Sequence, residues 1–219
     1  MKIGAVLQVR AGSRRLPGKA LLLLGDKTIT QIIIEKAKAI KELRGVVVAT
    51  TEKRQDDAIE AIAGKCGVAC FRGSEHDVLK RTAMAAQKHG FDAIVRLTAD
   101  NPFVSTQIIR GAVKAFLREK CFDYFFVEGF PEGFAAIEII STKALLKADR
   151  LAKSAFEREH VVPFIIRRTD LFKVKIVVLS KCRMTVDTKE DFSFARGAFK
   201  KFGHDFDLSQ LIELLVDGK

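Results

Sequence analysis

The chain has 219 residues, 48% hydrophobic and 30% charged, enough for one sizeable globular domain with an ample core. No stretch of about twenty apolar residues offers a membrane span, and the four cysteines (Cys66, Cys70, Cys121, Cys182) make neither a C-x-x-C pair nor a zinc spacing with histidine. The formal charge of +11 is spread along the chain rather than gathered in a basic block, so most of it reads as a solvated face and nucleic acid is not the expected partner.

Apolar runs and helical patterns alternate along the first half. Ile3 to Val9 reads as a buried strand. Thr28, a candidate N-cap, opens a helical pattern to Leu43, and Gly45 then introduces a β-branched strand, Val46 to Thr50. Gln55 to Gly64 is a helix, Val68 to Phe71 a short strand, and Ser74 to His89 a helix capped by Ser74. Ala93 to Leu97 is a strand, Ser105 to Glu119 a helix, and Phe122 to Val127 a strand. This β-α alternation predicts an α/β three-layer sandwich with a mostly parallel sheet.

The second half is less regular. Phe130 to Gly133 is a turn-rich loop, Ala136 to Ile140 extended, and Thr142 to Leu151 helical. Phe156 to Ile166 is a helical pattern that Pro163 must kink or break. Phe172 to Leu179 and Arg183 to Val186 read as strands, and Thr188 to Phe202 and Leu208 to Val216 as closing helices. No linker or repeat divides the chain, so one domain over 1–219 is expected. No secretory leader is read at the start, and free thiols in a reducing cytoplasm are expected.

Chemistry gathers first in residues 7–19, LQVRAGSRRLPGK, where a buried strand empties into a loop with two glycines and four basic residues, Arg10, Arg14, Arg15 and Lys19. Glycines let backbone N–H groups approach an anion closely, and the cations neutralise it, which suits phosphate. The loop is neither a Walker A loop nor G-x-G-x-x-G. In LTADNPFV, Asp100 follows a buried strand and precedes Asn101–Pro102; by itself it also reads as an ordinary turn aspartate. In RMTVDTKED, Thr188, Glu190 and Asp191 are explained as a helix cap, but Asp187 precedes the cap and is not.

The stretch Q-x-R-x-G-S-x-R-L-P-G-K, residues 8–19, resembles the signature loop of the sugar cytidylyltransferases: the CMP-KDO synthetases, the acylneuraminate cytidylyltransferases and most closely the spore coat polysaccharide biosynthesis protein SpsF group. T-V-D-T-x-E-D is similar to that group's C-terminal signature and T-x-D-x-P to its metal-binding corner. G-S-x-x-D-V-L-x-R (73–81) and E-R-E-H-V-x-P-F (157–164) also recur in it.

The resemblance implies a fold like that of the GT-A nucleotide-diphospho-sugar transferases, with a nucleotide-binding half of about 1–120 and a sugar and metal half of about 121–219. It implies transfer of CMP from CTP to an acidic sugar for surface or spore coat polysaccharide, with cytosine coming from the resemblance alone. Gln8, Arg10, Gly12, Ser13, Arg14, Lys19, Gly73, Asp77 and Thr98 would bind the nucleotide. Arg10 and Lys19 would also serve catalysis, with Asp100 and Asp187 sharing one Mg²⁺. Two carboxylates at one site repel without a cation, so the pair predicts the ion. Glu138, Glu159 and His160 would meet the sugar; around Glu138 the family shows P-x-G-x-D-x-E, whereas Ala135 and Ala136 stand where its aspartate is expected. Relatives are often dimers, which admits a homodimer. Two rivals remain at this point: a glycosyltransferase of the same fold consuming a nucleotide-sugar, and a noncatalytic nucleic-acid-binding protein, whose binding would be salt-dependent and indifferent to Mg²⁺.

Overall fold

A computed structural model of the chain describes residues 1–13, 15–119, 121–128, 136–178 and 185–204. Its centre is a seven-stranded sheet. In chain order the strands are β1 (Ile3–Gln8), β4 (Val46–Thr51), β5 (Ala69–Gly73), β6 (Ala93–Thr98), β7 (Tyr124–Glu128), β8 (Ile137–Ser141) and β9 (Val174–Val178), and they lie in the order β5-β4-β1-β6-β8-β7-β9. The pairs β1–β4, β1–β6, β4–β5 and β7–β9 are parallel; β8 runs antiparallel to both its neighbours. The expected mostly parallel α/β sheet is present.

Strand periodicity makes the layers. In β1, Ile3, Ala5 and Leu7 enter one apolar cluster and Val6 the other, because successive side chains leave opposite faces. The first cluster packs beneath α1 (Ile29–Lys38), α2 (Asp57–Lys65), α4 (Thr106–Glu119) and α8 (Lys189–Phe202). The second lies under α3 (Val78–Lys88), α5 (Thr142–Leu151) and α7 (Pro163–Arg167). Burial on both faces explains why the central strands are continuous apolar runs rather than alternating ones.

Local signals set most boundaries. Thr28 caps α1 in a reciprocal box with Gln31, and Thr188 caps α8 in one with Asp191. α1 ends at Lys38, short of Leu43, because the chain turns so that Ile40 is buried and Arg44 N–H reaches Ile3 C=O beside β4. α3 begins at Val78 under an Asp77 cap, not at Ser74; the Ser74 hydroxyl accepts from the His76 and Asp77 N–H groups in the turn before it. The 156–166 pattern does break: α6 (Ala155–His160) and α7 are separated at Val161, which takes φ 71°, and Pro163 occupies the first turn of α7, where no N–H is needed. A short hairpin, β2 (Leu23–Leu24) with β3 (Lys27–Thr28), was not expected. The Phe130–Gly133 loop and the Leu208–Val216 helix lie outside the described residues. Of the expected Arg183–Val186 strand, Thr185 and Val186 are described and belong to no strand. Cys66, Cys70 and Cys121 are free thiols, and burial pushes Cys70 up to about 11.

For function the decisive pairing is β1 with β6, in register from Ile3–Ala93 to Gln8–Thr98. It brings the loop after β1 and the corner after β6 together, at the strand ends where parallel sheets bind ligands.

Candidate active site

The loop after β1 is closed on itself. Gly18 and Ser13 N–H both donate to Ala11 C=O, at 3.0 and 2.8 Å, and Gly18 takes φ 68°, which glycine adopts without strain. The loop's root is pinned by Asp56, which is fully buried and accepts from Ala11 N–H at 2.7 Å and from the Thr51 hydroxyl. A Cβ on Gly12 would stand 2.8 Å from the Gln55 side-chain amide, so the backbone here is packed close. The Ser13 hydroxyl accepts from Leu16 N–H at 3.4 Å, inside the loop. Arg14 lies outside the described residues.

Asp100 and Asp187 meet at Lys19. The Lys19 ammonium is 2.9 Å from Asp187 Oδ1 and 3.9 Å from Asp100 Oδ2, and it donates to Val186 C=O at 3.1 Å. Val186 N–H donates to Asp100 C=O at 2.7 Å, joining the two aspartate segments backbone to backbone. Asp191 fixes the second segment by accepting from Asp187 and Thr188 N–H, each at 2.9 Å. Asp187 is 5% exposed. Burial alone would raise its pKa, but the Lys19 hydrogen bond and the charges of Lys19 and Arg15 outweigh it and hold the carboxyl below its ordinary value. Thr98 donates its hydroxyl to Asp100 Oδ1. No group of three or more His, Cys, Asp or Glu side chains gathers among the described residues. Two carboxylates converging on one cation position form a partial oxygen set, which suits a divalent ion that completes its shell from phosphate oxygens and water.

Two cavities flank this point and share Thr98 and Asp100. The first, about 210 Å³, is bordered by Gln8, Arg10, Lys19, Arg81, Glu159 and His160 among others. Arg10 stands at its mouth, 3.6 Å from Glu75 and 3.8 Å from Glu159. Glu159 and His160 thus border the Arg10–Lys19 side and do not join Glu138, with which the sugar reading had grouped them. The second cavity, about 190 Å³, is lined by Arg96, Asn101, Phe126 and Glu138 beside apolar residues. Glu138 sits opposite Arg96 in the β6–β8 register; it accepts from the Arg96 guanidinium and, at 2.9 Å, from the Tyr124 hydroxyl. Arg96 also donates to Gln8 Oε1 at 2.9 Å, and the Gln8 amide donates on to Thr82. Gln8 is therefore a bridge between the cavities as well as a wall of the first.

Asp77 borders neither cavity. One of its oxygens caps α3 and the other takes Arg158 at 2.8 Å, so both are committed to the scaffold. Gly73 is a backing position: a Cβ there would stand 3.3 Å from Arg81 Cγ.

Four site residues escaped the sequence reading. Asp56, fully buried at the start of α2, pins the loop's root and carries no local signal of that contact. Arg96 sits in an apolar strand, where an isolated charge is itself a signal that a partner exists. Arg158, inside the E-R-E-H motif, ties α6 to Asp77, Asp149 and the Ala152 carbonyl. Arg81, the last residue of G-S-x-x-D-V-L-x-R, is 4% exposed and its Nε has no hydrogen-bond partner among the described residues. Burial, then the neighbouring Arg10 charge, lowers its pKa to about 10.

Known proteins resemble this chain in sequence and in fold. A family model described as cytidylyltransferase matches residues 5–215. An uncharacterized protein of Methanocaldococcus jannaschii is 39% identical, over 98% of this chain and 90% of its own length. The spore coat polysaccharide biosynthesis protein SpsF of Bacillus subtilis is 32% identical, over 96% and 92%. A solved cytidylyltransferase from Leptospira borgpetersenii superposes with a TM-score of 0.93 and 37% identity, over all of this chain and 95% of its own. The sheet has the nucleotide-diphospho-sugar transferase fold that the loop signature implied, and among the described residues no helix is long and apolar enough to cross a membrane. With a match over nearly its whole length, the chain belongs to the cytidylyltransferase family.

Proposed function

We propose that the chain transfers CMP from CTP to a hydroxyl of an acidic sugar, releasing pyrophosphate, in the cytoplasm and for a surface or spore coat polysaccharide. The observation that carries this is the convergence of Asp100 and Asp187 on one cation position beside the cationic loop after β1. The triphosphate would lie along the first cavity, over the backbone of Gly12 and Ser13, with Arg10, Lys19 and Arg81 as countercharges; Arg14 belongs to the same loop. The sugar would enter the second cavity against Glu138 and Arg96. Thr98 and Asp100 border both cavities, so the α-phosphorus would meet the attacking oxygen beside them.

In the reaction a bond forms between the sugar oxygen and Pα, the Pα–O bond to the β-phosphate breaks, and the hydroxyl proton leaves. Asp100 and Asp187 would hold Mg²⁺, which when bound supplies positive charge to phosphate and sugar oxygens. Lys19 and Arg10 stabilise charge on the departing pyrophosphate from fixed positions. Asp191 and Thr98 keep the two aspartates oriented. The nucleotide half, about 1–120, and the sugar and metal half, about 121–219, interleave in this arrangement, because Glu159 and His160 come back to the first cavity.

The test is pyrophosphate release from CTP and Mg²⁺ with a panel of acidic sugars. Asp100→Asn and Asp187→Asn should each lower turnover by at least about a thousandfold, close to 4 kcal/mol of transition-state stabilisation, with each variant still folded and melting cooperatively. Retained turnover in both variants rejects the metal assignment, and turnover only with a nucleotide-sugar donor rejects the reaction.

A further inference from the structure

We propose that Lys19 is the site's own cation before nucleotide arrives: its ammonium fills the position between Asp100 and Asp187, and the triphosphate draws it away so that the divalent ion can enter. The inference rests on the assignment of Asp100 and Asp187 as the divalent site and goes beyond it by making metal and nucleotide binding depend on one side chain.

Three observations converge. The Lys19 ammonium touches Asp187 at 2.9 Å and Val186 C=O at 3.1 Å and lies 3.9 Å from Asp100, the place that a cation shared by the two carboxylates would take. Its side chain is 14% exposed, so it is not a solvated surface pair. The same residue borders the first cavity together with Arg10 and Arg81. Lysine carries a compact charge on a flexible four-carbon stem, and here the stem springs from a short turn just after Gly18. A swing of that stem exchanges carboxylate for phosphate without moving the backbone.

The energetic consequence is a coupling. A divalent ion entering the empty protein must displace an ammonium from the pair or sit beside it against like-charge repulsion. A bound triphosphate removes that obstacle by giving the ammonium another anion. By linkage, metal then raises nucleotide affinity by the same factor. Arg15 supplies an internal control. It reaches the same Asp187 oxygen at 2.8 Å, but its side chain is 64% exposed and it pairs with Asp187 alone, whereas Lys19 also reaches Asp100.

Direct Mn²⁺ binding by the full chain, followed by electron paramagnetic resonance with no nucleotide present, tests this. The wild type should bind weakly. Lys19→Met should bind on the order of tenfold more tightly, and Lys19→Gln should also gain. Arg15→Met, which removes an equal charge from the same carboxylate, should change affinity less than about threefold. The extra Mn²⁺ affinity conferred by CTP, beyond the affinity of CTP for Mn²⁺ in solution, should shrink in Lys19→Met. Circular dichroism melts in metal-free buffer check folding, and Lys19→Gln serves if Lys19→Met does not fold. Equal Mn²⁺ affinity in wild type and both Lys19 variants overturns the proposal, as does an Arg15→Met gain equal to that of Lys19→Met. An undiminished CTP effect in Lys19→Met overturns it too. Mn²⁺ still bound by Lys19→Met combined with Asp187→Asn overturns the underlying metal assignment instead, while CMP transfer is judged separately by pyrophosphate release.

Discussion

The first cavity is bordered by three cations, Arg10, Lys19 and Arg81, and the second by one, Arg96. In the first the cations outnumber the bordering carboxylates, Asp100 and Glu159, and Arg81 is buried near Arg10 with its pKa lowered to about 10. In the second, Glu138 compensates Arg96, and Tyr124 and Gln8 complete the hydrogen bonds. Burial works to lower the Arg96 pKa, but the Glu138 charge and hydrogen bond outweigh it; the Tyr124 phenol is pushed up by burial and by the same carboxylate. The difference separates two ways of making a site. One region gathers more cations than carboxylates on its wall and leaves the buried Arg81 Nε without a partner among the described residues, an excess that an anionic ligand would offset. In the other, Arg96 is balanced by Glu138 before any ligand arrives, and Asp100 adds a second carboxylate to the wall.

The largest effect should come from breaking the balanced side. Glu138→Ala leaves Arg96 buried without its carboxylate and Tyr124 without its acceptor. A loss of about 3 kcal/mol is expected from urea unfolding, since removing one partner of a buried pair costs far more than the pair contributes. Arg81→Met sharpens the contrast from the other side. It removes a buried charge from a repulsive neighbourhood, so thermal stability should hold or rise, while CTP affinity measured by calorimetry falls about tenfold, roughly 1.4 kcal/mol. A large stability loss there would make Arg81 a scaffold residue like Arg96 and erase the distinction.

The smallest effect concerns Glu75, which tethers Arg10 at the mouth of the first cavity. A hydrogen bond from Lys53, opposed by burial and aided by the Lys53 and Arg10 charges, holds Glu75 below its ordinary value of 4.5. A carboxyl with a depressed folded pKa stabilises the protein above its unfolded pKa, and that contribution disappears as pH falls through the folded value. Glu75→Gln should therefore lower the urea midpoint slightly at neutrality, where the contribution is present, and flatten the fall of that midpoint below pH 4.5.

Local patterns made much of this legible in the sequence. The continuous apolar strands, the Thr28 and Thr188 caps and the Pro163 break are set by residues within a turn or two of one another. The loop after β1 announced itself by composition. What stayed hidden depends on distant pairing. The antiparallel insertion of β8 between β6 and β7 fixes the Arg96–Glu138 contact across 42 residues, and nothing local specifies that register. The choice of Asp77 over Ser74 as the cap of α3 goes with a contact from Arg158, 81 residues away. Lys19 stood out in the sequence as a cation of the loop, but its partner Asp187 lies 168 residues along the chain. The two-residue strands of the hairpin are too short to carry a periodicity.

The hydrogen bond from Val186 to Asp100 has a consequence for biosynthesis. It spans 86 residues, and closing so long a loop before its contacts form is entropically slow. A nascent chain that has emerged only as far as α4 already holds β1, its cationic loop and Asp100, yet lacks the second aspartate. Such a fragment lacks half of the carboxylate pair that the proposed reaction needs. Assembly of the carboxylate pair thus waits for late-made sequence, which under the proposed reaction would keep a partly synthesised chain from spending CTP.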